Sequence, residues 1–379
     1  MKIVRIPLSD DYLKQLQVLV EPKENLRQHG FATKPLTDEE LLLKRRCLGC
    51  GKSLSQLKGR QRPNVAPATE APAVKDAGAY SAPAPAATPQ VPKSAKPAPA
   101  PQFKCKFHPG EVSYKYWTCC NQHCTADPCS GAHFHDPQDE PLSDLSERYQ
   151  LHCTPIVIGR HGPQDVRAAV ALDCEMGTAE NGDSELIKIT AIDYFTGEIL
   201  LDNIVEPDVQ LRHLNTRYSG VTWAHMRAAQ RNRTALKGTE GARSALWKFV
   251  DDQTVVIGHG VSSDLRALKW IHEQVVDSMV IETKIKKQKE DKEKQAKMEL
   301  DAKAKAEGNY VEPEKVIEVA VPGQKKKRKG GDLSLKGLAD TRLGRKIQLG
   351  DGKTGHDSLE DAVAARDLVH WHIVNAGTE

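Results

Sequence analysis

The sequence has no long apolar stretch, since no run approaches the roughly 20 consecutive apolar residues that a membrane-spanning helix requires. The N-terminus passes from Met1 to Asp10 and Asp11 without the apolar core of a secretory signal. We therefore expect a soluble, intracellular protein that has no membrane partner.

A strong excess of one charge is also missing. The chain has 379 residues, of which 28% are charged, and its net charge is only +3. This excludes a polycation that binds nucleic acid by its overall charge, so any basic function must be local. The length allows one sizeable catalytic domain and smaller modules.

Composition divides the chain into four regions. Residues 1–62 have a helical pattern, with a capping box at Thr37 and Glu40, and include a C-x-x-C pair. Residues 63–102 hold 10 of the 22 prolines among many alanines, which predicts a disordered linker without a packed core. Residues 103–140 are rich in Cys and His, and residues 165–379 have the pattern of an α/β domain.

Within the α/β domain, strand patterns occur at residues 168–173, 186–194, 198–205, 254–258 and 276–281. Residues 195–197 predict a hairpin turn, and helical patterns occupy residues 242–250 and 264–273. Three hairpin-linked strands followed by strand-helix-strand units predict a mixed five-stranded sheet that is flanked by helices.

Two carboxylates, Asp173 and Glu175, stand one residue apart at the end of the first strand. Residues two apart on a strand project from the same face, so these like charges repel each other unless a cation lies between them. Further acids follow at two predicted helix starts, Asp264 and Asp361, and His356 precedes the second of these helices, where Asp357 and Glu360 have capping-box spacing. Four carboxylates and a histidine can hold two divalent ions and hydrolyse a phosphodiester bond.

Five segments of the sequence, which include these acids and the histidine, resemble the motifs of a known family. The segments "ALDCEMG", "NTRYSGVT", "GHGVSSDLRAL", "LSLKGLADTRLGRKIQ" and "HDSLEDAVAARDLV" are similar to motifs of the DEDDh 3′-to-5′ exonucleases. The order and the residues of these segments are closest to those of the eukaryotic Rex RNA exonucleases, especially the fungal RNA exonuclease 3 type. The resemblance covers residues 168–373 apart from an insert. Residues 178–181 and the length of that insert depart from the family pattern.

This resemblance implies a ribonuclease H-like fold and a hydrolase that releases 5′-nucleoside monophosphates. It also implies that 3′ ends of structured non-coding RNA, including ribosomal RNA, are trimmed in the nucleus. The implied roles are Mg²⁺ or Mn²⁺ ligands for the four acids, Asp173, Glu175, Asp264 and Asp361, and general base for His356.

Seven of the nine cysteines lie between Cys47 and Cys129, and in a reducing compartment this favours metal binding over disulfides. The region resembles the CHORD zinc module and the zinc-like region that precedes the nuclease in Rex proteins, a pattern that implies eight ligands for two zinc ions. The expected ligands are Cys47, Cys50, Cys105, His108, Cys119, Cys120, Cys129 and one of His133 and His135, with His133 chosen. Their pairing stays open. In the alternative, Cys47 and Cys50 are unpaired thiols and only the later cluster binds zinc.

For the two remaining cysteines and for the insert, the sequence predicts structural rather than catalytic roles or a docking function. Cys153 and Cys174 are expected to be small core residues. The insert at residues 284–330 starts with a lysine-rich segment without a sustained heptad, which predicts a solvated helix or disorder. The basic cluster at residues 325–329 is typical of a nuclear import signal, or else contacts phosphate. A protein partner could dock on this insert or on the zinc module.

Two other functions are compatible with the sequence. A DNA 3′-to-5′ exonuclease of the same fold would use the same metal chemistry, because discrimination depends on contacts to the 2′-hydroxyl group. A non-catalytic zinc- or RNA-binding scaffold is the second alternative, and the presence of all five active-site residues argues against it.

Overall fold

The computed structural model describes residues 3–59, 103–156, 165–307, 331–349 and 355–376. The predicted linker, residues 63–102, and the basic cluster at residues 325–329 lie outside these ranges. Among the described residues, no helix combines the length and the apolar character needed to cross a bilayer.

Twelve α-helices occur in the described residues: Asp10–Val18 (α1), Lys23–Leu26 (α2), Asp38–Leu42 (α3), Leu54–Gly59 (α4), Leu142–Tyr149 (α5), Thr216–Ser219 (α6), Trp223–Arg231 (α7), Gly238–Leu246 (α8), Ser262–Ala267 (α9), Ser278–Ala306 (α10), Leu335–Leu343 (α11) and Ser358–Val374 (α12).

The described strands are Cys105–Phe107 (β1), Val112–Ser113 (β2), Tyr116–Trp117 (β3), Ser130–Ala132 (β4), His152–Cys153 (β5), Ala169–Ala179 (β6), Ser184–Asp193 (β7), Ile199–Glu206 (β8), Leu211–His213 (β9), Leu236–Lys237 (β10), Val255–Gly258 (β11), Trp270–Ile271 (β12) and Val275–Asp277 (β13).

The main sheet has the strand order β10-β8-β7-β6-β11-β13, with β9 paired to β6. Strands β6, β7 and β8 are antiparallel, whereas β11 runs parallel to β6 and β13 parallel to β11. The five predicted strands thus form a contiguous part of the sheet, with β13 at its edge, and the short strands β9 and β10 extend it. This order, with helices on the sheet faces, is an α/β fold of the ribonuclease H-like class, as the sequence predicts.

Alternate residues of β6 face two different cores. Val170 and Leu172 pack in the core that includes residues of α8 and α9. Ala169 and Ala171 pack in the second core, where Val363 and Val369 of α12 cover the sheet. Because alanine has a short side chain, α12 lies close to β6 along this row. The packing of α12 on this row therefore determines which side chains of β6 lie near the first turn of α12.

Several predicted elements have different bounds in the structure. The helix predicted at residues 264–273 ends at Ala267, because Trp270 and Ile271 pair with β5. The strand predicted at residues 276–281 ends at Asp277, whose side chain caps the first turn of α10. The lysine-rich start of the insert continues this helix and is mostly exposed. Of the two expectations, a solvated helix or disorder, the structure shows the solvated helix.

The predicted N-terminal region, residues 1–62, is divided between two compact units instead of forming one region. Residues 1–36 belong to the compact unit formed with residues 149–379, and residues 37–148 form a second unit. The reason is packing: Ile6 and Leu16 are buried in the α12 core of the first unit, and the hydroxyl of Tyr12 lies 2.7 Å from Nδ1 of His370.

The second unit is built from short elements. Helix α3 begins with the predicted capping box of Thr37 and Glu40. Strand β1 pairs antiparallel with β4, and β2 pairs with β3. The β2–β3 loop consists of Tyr114 and Lys115, whose φ angles of 47° and 73° are those of a type I′ hairpin turn. Because these few short elements bury little apolar area, the second unit is of the kind that metal ions stabilise.

A buried arginine of α12 gives a test of the first unit. Arg366 is 1% exposed, and it donates hydrogen bonds to the carbonyl oxygens of Tyr194 and Val4 at 2.6 and 2.7 Å. We expect Arg366→Met to lower the free energy of unfolding by about 1–3 kcal/mol for each carbonyl that loses its donor. Chemical denaturation measures this, with exposed Arg231→Met as the control. A variant as stable as the wild type would contradict the assignment.

Candidate active site and candidate metal sites

Strand β6 places Asp173 and Glu175 on the sheet face that α12 covers. They continue the row that begins with Ala169 and Ala171, since alternate strand residues share a face. The register shift to β7 occurs only after Glu175, so both acids lie in regular strand. The two carboxylates therefore lie on one face, next to the first turn of α12, which carries Asp361.

Asp264 reaches the same place from α9. This helix follows β11 closely, and Oδ1 of Asp264 accepts a hydrogen bond of 2.8 Å from the backbone N–H of Cys174, which stands between the two strand acids. Asp264 is only 6% exposed. The third carboxylate is therefore attached directly to the strand segment that carries the first two.

Asp361 and His356 come from the start of α12. The two side chains approach to 3.5 Å between His356 Nδ1 and Asp361 Oδ2. The helix is capped by Asp357, which accepts from the N–H of Leu359 at 3.1 Å, and no capping box with Glu360 forms. Glu360 instead accepts from the backbone N–H of Gln348, so the capping-box expectation is wrong for this helix.

The segment before α12 is held by a close contact between two glycines. Gly355 and Gly220 have φ angles of 71° and 65°, and a Cβ atom on Gly355 would lie 2.2 Å from the nitrogen of Gly220. The adjacent N–H of His356 donates to the carbonyl of Tyr218 at 2.7 Å. Only glycine permits this approach, so the segment "NTRYSGVT" positions the histidine.

Burial and repulsion between like charges together determine the electrostatics of the acidic cluster. Burial, followed by the charges of Asp264, Asp361 and Glu175, raises the pKa of Asp173 well above its ordinary value. Burial, with the Asp361 charge next, raises the pKa of Glu175 to about 9. Burial also raises the pKa of Asp264 to about 7, against hydrogen bonds that lower it. Asp173, Glu175 and Asp264 are thus hard to ionise until a cation joins the cluster.

Oxygen donors under mutual repulsion suit a divalent cation such as Mg²⁺ or Mn²⁺. Among the described residues, the groups whose ligand atoms all lie within 4.8 Å of one another are two Cys/His groups, and the carboxylates are not drawn together so tightly.

Sequence reasoning missed two side chains of this site. Lys188 is the cross-strand partner of Glu175, and its charge lowers the pKa values of both Glu175 and Asp173. Its Nζ lies 3.0 Å from Asp202, and Gln348 contacts Asp361. The pairing of residue 188 with residue 175 depends on the register shift that follows Glu175, which no local pattern marks. No local pattern points to Gln348.

The cysteine module forms two separate groups, and this resolves the pairing that the sequence left open. Their members are Cys47, Cys50, Cys105 and His135 in the first group and His108, Cys119, Cys120 and Cys129 in the second. Each group offers four N and S ligand atoms, the usual donor set of structural zinc. In the metal-free first group, burial and then contacts with Cys47 and Cys50 raise the pKa of Cys105 to about 12.

The choice of His133 as eighth ligand does not agree with this geometry. Nδ1 of His135 lies 3.5 Å from Cys50 Sγ, whereas the His133 ring packs against Phe103 with 5.3 Å between the centroids. Cys174 is buried as expected. Cys153 is exposed on the two-residue strand β5, so the expectation that it is a core residue is wrong.

The repulsion between the acids gives a prediction for metal-free protein. The pKa of Glu175 is about 9 in the folded protein and 4.5 as a free side chain. Between these values the folded state keeps a proton that the unfolded state has lost, so stability falls as pH rises, by up to about 1.4 kcal/mol per pH unit. We expect Glu175→Gln to remove this loss.

Thermal unfolding in EDTA at pH 5 and pH 8 tests it. Glu175→Gln should unfold at a higher temperature than the wild type at pH 8 and at a similar temperature at pH 5, while exposed Glu24→Gln should match the wild type at both. A Glu175→Gln protein that is less stable than the wild type at pH 8 would contradict the raised pKa of Glu175.

No protein-family model matches the chain. RNA exonuclease 3 of Candida albicans is 27% identical over 71% of this chain and 54% of the relative, and RNA exonuclease 3 of Emericella nidulans is 28% identical over 70% of this chain and 40% of the relative. The chain thus spans about half the length of these curated relatives.

Among solved structures, the Saccharomyces cerevisiae PAN2 pseudoubiquitin-hydrolase-RNase module matches 59% of this chain and 31% of its own, at 18% identity and a TM-score of 0.39. The Neurospora crassa Pan2 catalytic unit has a TM-score of 0.36 at 20% identity, over 60% of this chain and 30% of its own. Likenesses this weak support no conclusion. By sequence, the chain is a homologue of curated proteins that are named exonucleases.

Proposed function

We propose that this protein is a metal-dependent 3′-to-5′ exoribonuclease that trims the 3′ ends of structured non-coding RNA and releases 5′-nucleoside monophosphates. The observation that supports this most is the meeting of Asp173, Glu175, Asp264 and Asp361 beside His356, from one strand and two helix starts. The homology to proteins named RNA exonuclease 3 supports the same reaction class and RNA as the substrate.

In this reaction the four acids would hold two Mg²⁺ or Mn²⁺ ions, which when bound offset the charge of the scissile phosphate and activate water. The chain contributes geometry. Asp264 keeps its carboxylate in place through the Cys174 N–H, and α12 covers the strand face that carries Asp173. Lys188 adds a positive charge beside Glu175, where the incoming phosphate adds a negative one.

His356 has the position of a general base. Its side chain is 43% exposed, so water reaches it, and Asp361 beside it is 6% exposed. The hydrogen bond to Asp361 raises the pKa of His356. If Nδ1–H donates to Asp361, Nε2 is left without a proton and can accept one from the attacking water.

The reaction is tested with matched single-stranded RNA and DNA that carry free 3′ ends and a label at the 5′ end. We expect stepwise shortening of the RNA from its 3′ end, dependent on Mg²⁺ or Mn²⁺, with 5′-monophosphates as products. Asp173→Asn should lose about 1000-fold or more, because the cations supply several kcal/mol of transition-state stabilisation. His356→Ala should lower kcat by about 10²- to 10⁴-fold.

Exposed His152→Ala serves as the control and should keep wild-type activity. Faster loss of the DNA would replace the RNA assignment by a DNA exonuclease of the same fold. An Asp173→Asn protein that trims as fast as the wild type would instead support a scaffold without catalysis.

We also propose that the two Cys/His groups each bind one structural zinc ion. The first group is largely buried, since Cys47 and Cys105 are 2% and 1% exposed, whereas Cys119 and Cys129 of the second group are exposed. Zinc would replace apolar burial as the main source of stability in a unit with so little core. The unit remains a candidate surface for RNA or a protein partner.

Metal analysis of the purified protein tests the zinc proposal. We expect two zinc ions per chain, one in the Cys105→Ser variant and one in the Cys119→Ser variant. Cys124→Ser is the control, because Cys124 belongs to neither group, and it should keep both ions. Zinc loss in the control, or full zinc content in both group variants, would overturn the assignment.

We also propose that the protein is located in the nucleus. The basic cluster at residues 325–329 supports entry into the nucleus through an import receptor, and a cytoplasmic pool is compatible with it.

A further inference from the structure

Gln348 lies in the segment between α11 and α12, and its backbone is held on both sides. Its N–H donates to Glu360 Oε2 at 2.8 Å, and its carbonyl accepts from Lys336 Nζ at 2.8 Å. The preceding Ile347 is fully buried in the core between α11 and α12. The φ angle of Gln348 is 52°, a left-handed conformation that side chains other than glycine and asparagine adopt rarely. These contacts fix where the side chain starts.

The side-chain amide reaches the candidate active site. Nε2 of Gln348 donates to both carboxylate oxygens of Asp361, at 3.1 and 3.0 Å, and lies 3.4 Å from His356 Nδ1. Because the two distances are nearly equal, the nitrogen lies close to the plane that bisects the O–C–O angle of the carboxylate. One amide thus bridges both oxygens of Asp361 and restricts the rotation of this carboxylate.

We propose that Gln348 is a positioning residue that orients Asp361 toward a bound cation and holds it beside His356. This inference rests on the proposed roles of Asp361 and His356. Partners of this kind are general in metal sites, where hydrogen bonds to ligating carboxylates set their direction and tune their affinity.

The chemistry of an amide suits this position. A glutamate here would add a negative charge to a cluster in which repulsion already raises the pKa values of Asp173 and Glu175. A lysine would neutralise Asp361 and compete with the cation for it. The neutral amide supplies hydrogen bonds without either effect.

The test uses Gln348→Met, which keeps the length and the unbranched chain, so the backbone at residue 348 is strained no more than in the wild type, while both hydrogen bonds are lost. Gln274→Met is the matched control, since Gln274 pairs with Gln17 through their amides at 2.9 Å, outside the acidic cluster. Steady-state trimming of single-stranded RNA is measured over a range of Mg²⁺ concentrations, and thermal unfolding verifies that the variants fold.

We expect Gln348→Met to lower kcat, or to raise the Mg²⁺ concentration for half-maximal activity, by about 10- to 100-fold. The KM for RNA should stay within about twofold, because the amide contacts Asp361 and His356 and not the substrate. Gln348→Glu should lose more than Gln348→Met. Wild-type kcat and Mg²⁺ dependence in Gln348→Met would overturn the proposal, because the backbone contacts alone would then account for this segment.

A binding measurement without RNA separates this inference from the proposed reaction. Mn²⁺ binding, followed by electron paramagnetic resonance, should weaken in Gln348→Met and not in Gln274→Met. If the wild type trimmed no RNA while this difference held, the exonuclease proposal would fail and the positioning role would stand. If Mn²⁺ bound equally to the wild type and Gln348→Met, and kcat did not change, the positioning role would fail.

Discussion

The burial of four mutually repelling carboxylates beside the middle of one strand is the constraint on which the rest of the catalytic unit depends. Ala169 and Ala171 bring α12 close to β6, and the same row then continues as Asp173 and Glu175 beneath the start of that helix. A helix N-terminus favours negative charge, and Lys188 adds a positive one, yet neither prevents the pKa of Glu175 from rising to about 9. The fold thus contains a site that is unfavourable until cations join it.

Much of the surrounding structure keeps these groups in place while they repel one another. Asp264 is bound to the backbone of Cys174, and the contact between Gly355 and Gly220 positions the segment of His356. The core between α11 and α12 anchors the segment that carries Gln348. Geometry held by backbone contacts does not relax when side-chain charges change, which is what a site with pre-set ligands requires.

The parts that could be predicted are those with a local signal. The spacing of Asp173 and Glu175 predicts a shared face because strand residues alternate, and apolar or alternating runs bounded by turns predict five of the sheet strands. The end of the last strand could not be predicted: residues 278–281 are apolar enough for a strand, but the side chain of Asp277 starts a helix there. Likewise, Glu360 has capping-box spacing, but its carboxylate binds the distant Gln348 instead.

By itself, the sequence determined the α/β class, the acidic and histidine residues of the candidate site, and the cysteines and histidines that can hold metal, because residue chemistry and short spacings carry that information. Only the tertiary structure decided which ligands belong together, that His135 rather than His133 joins Cys47, and that Lys188 and Gln348 serve the acidic site. The physical reason is that contacts between residues far apart in the chain depend on how strands register and helices pack, and no local pattern records either.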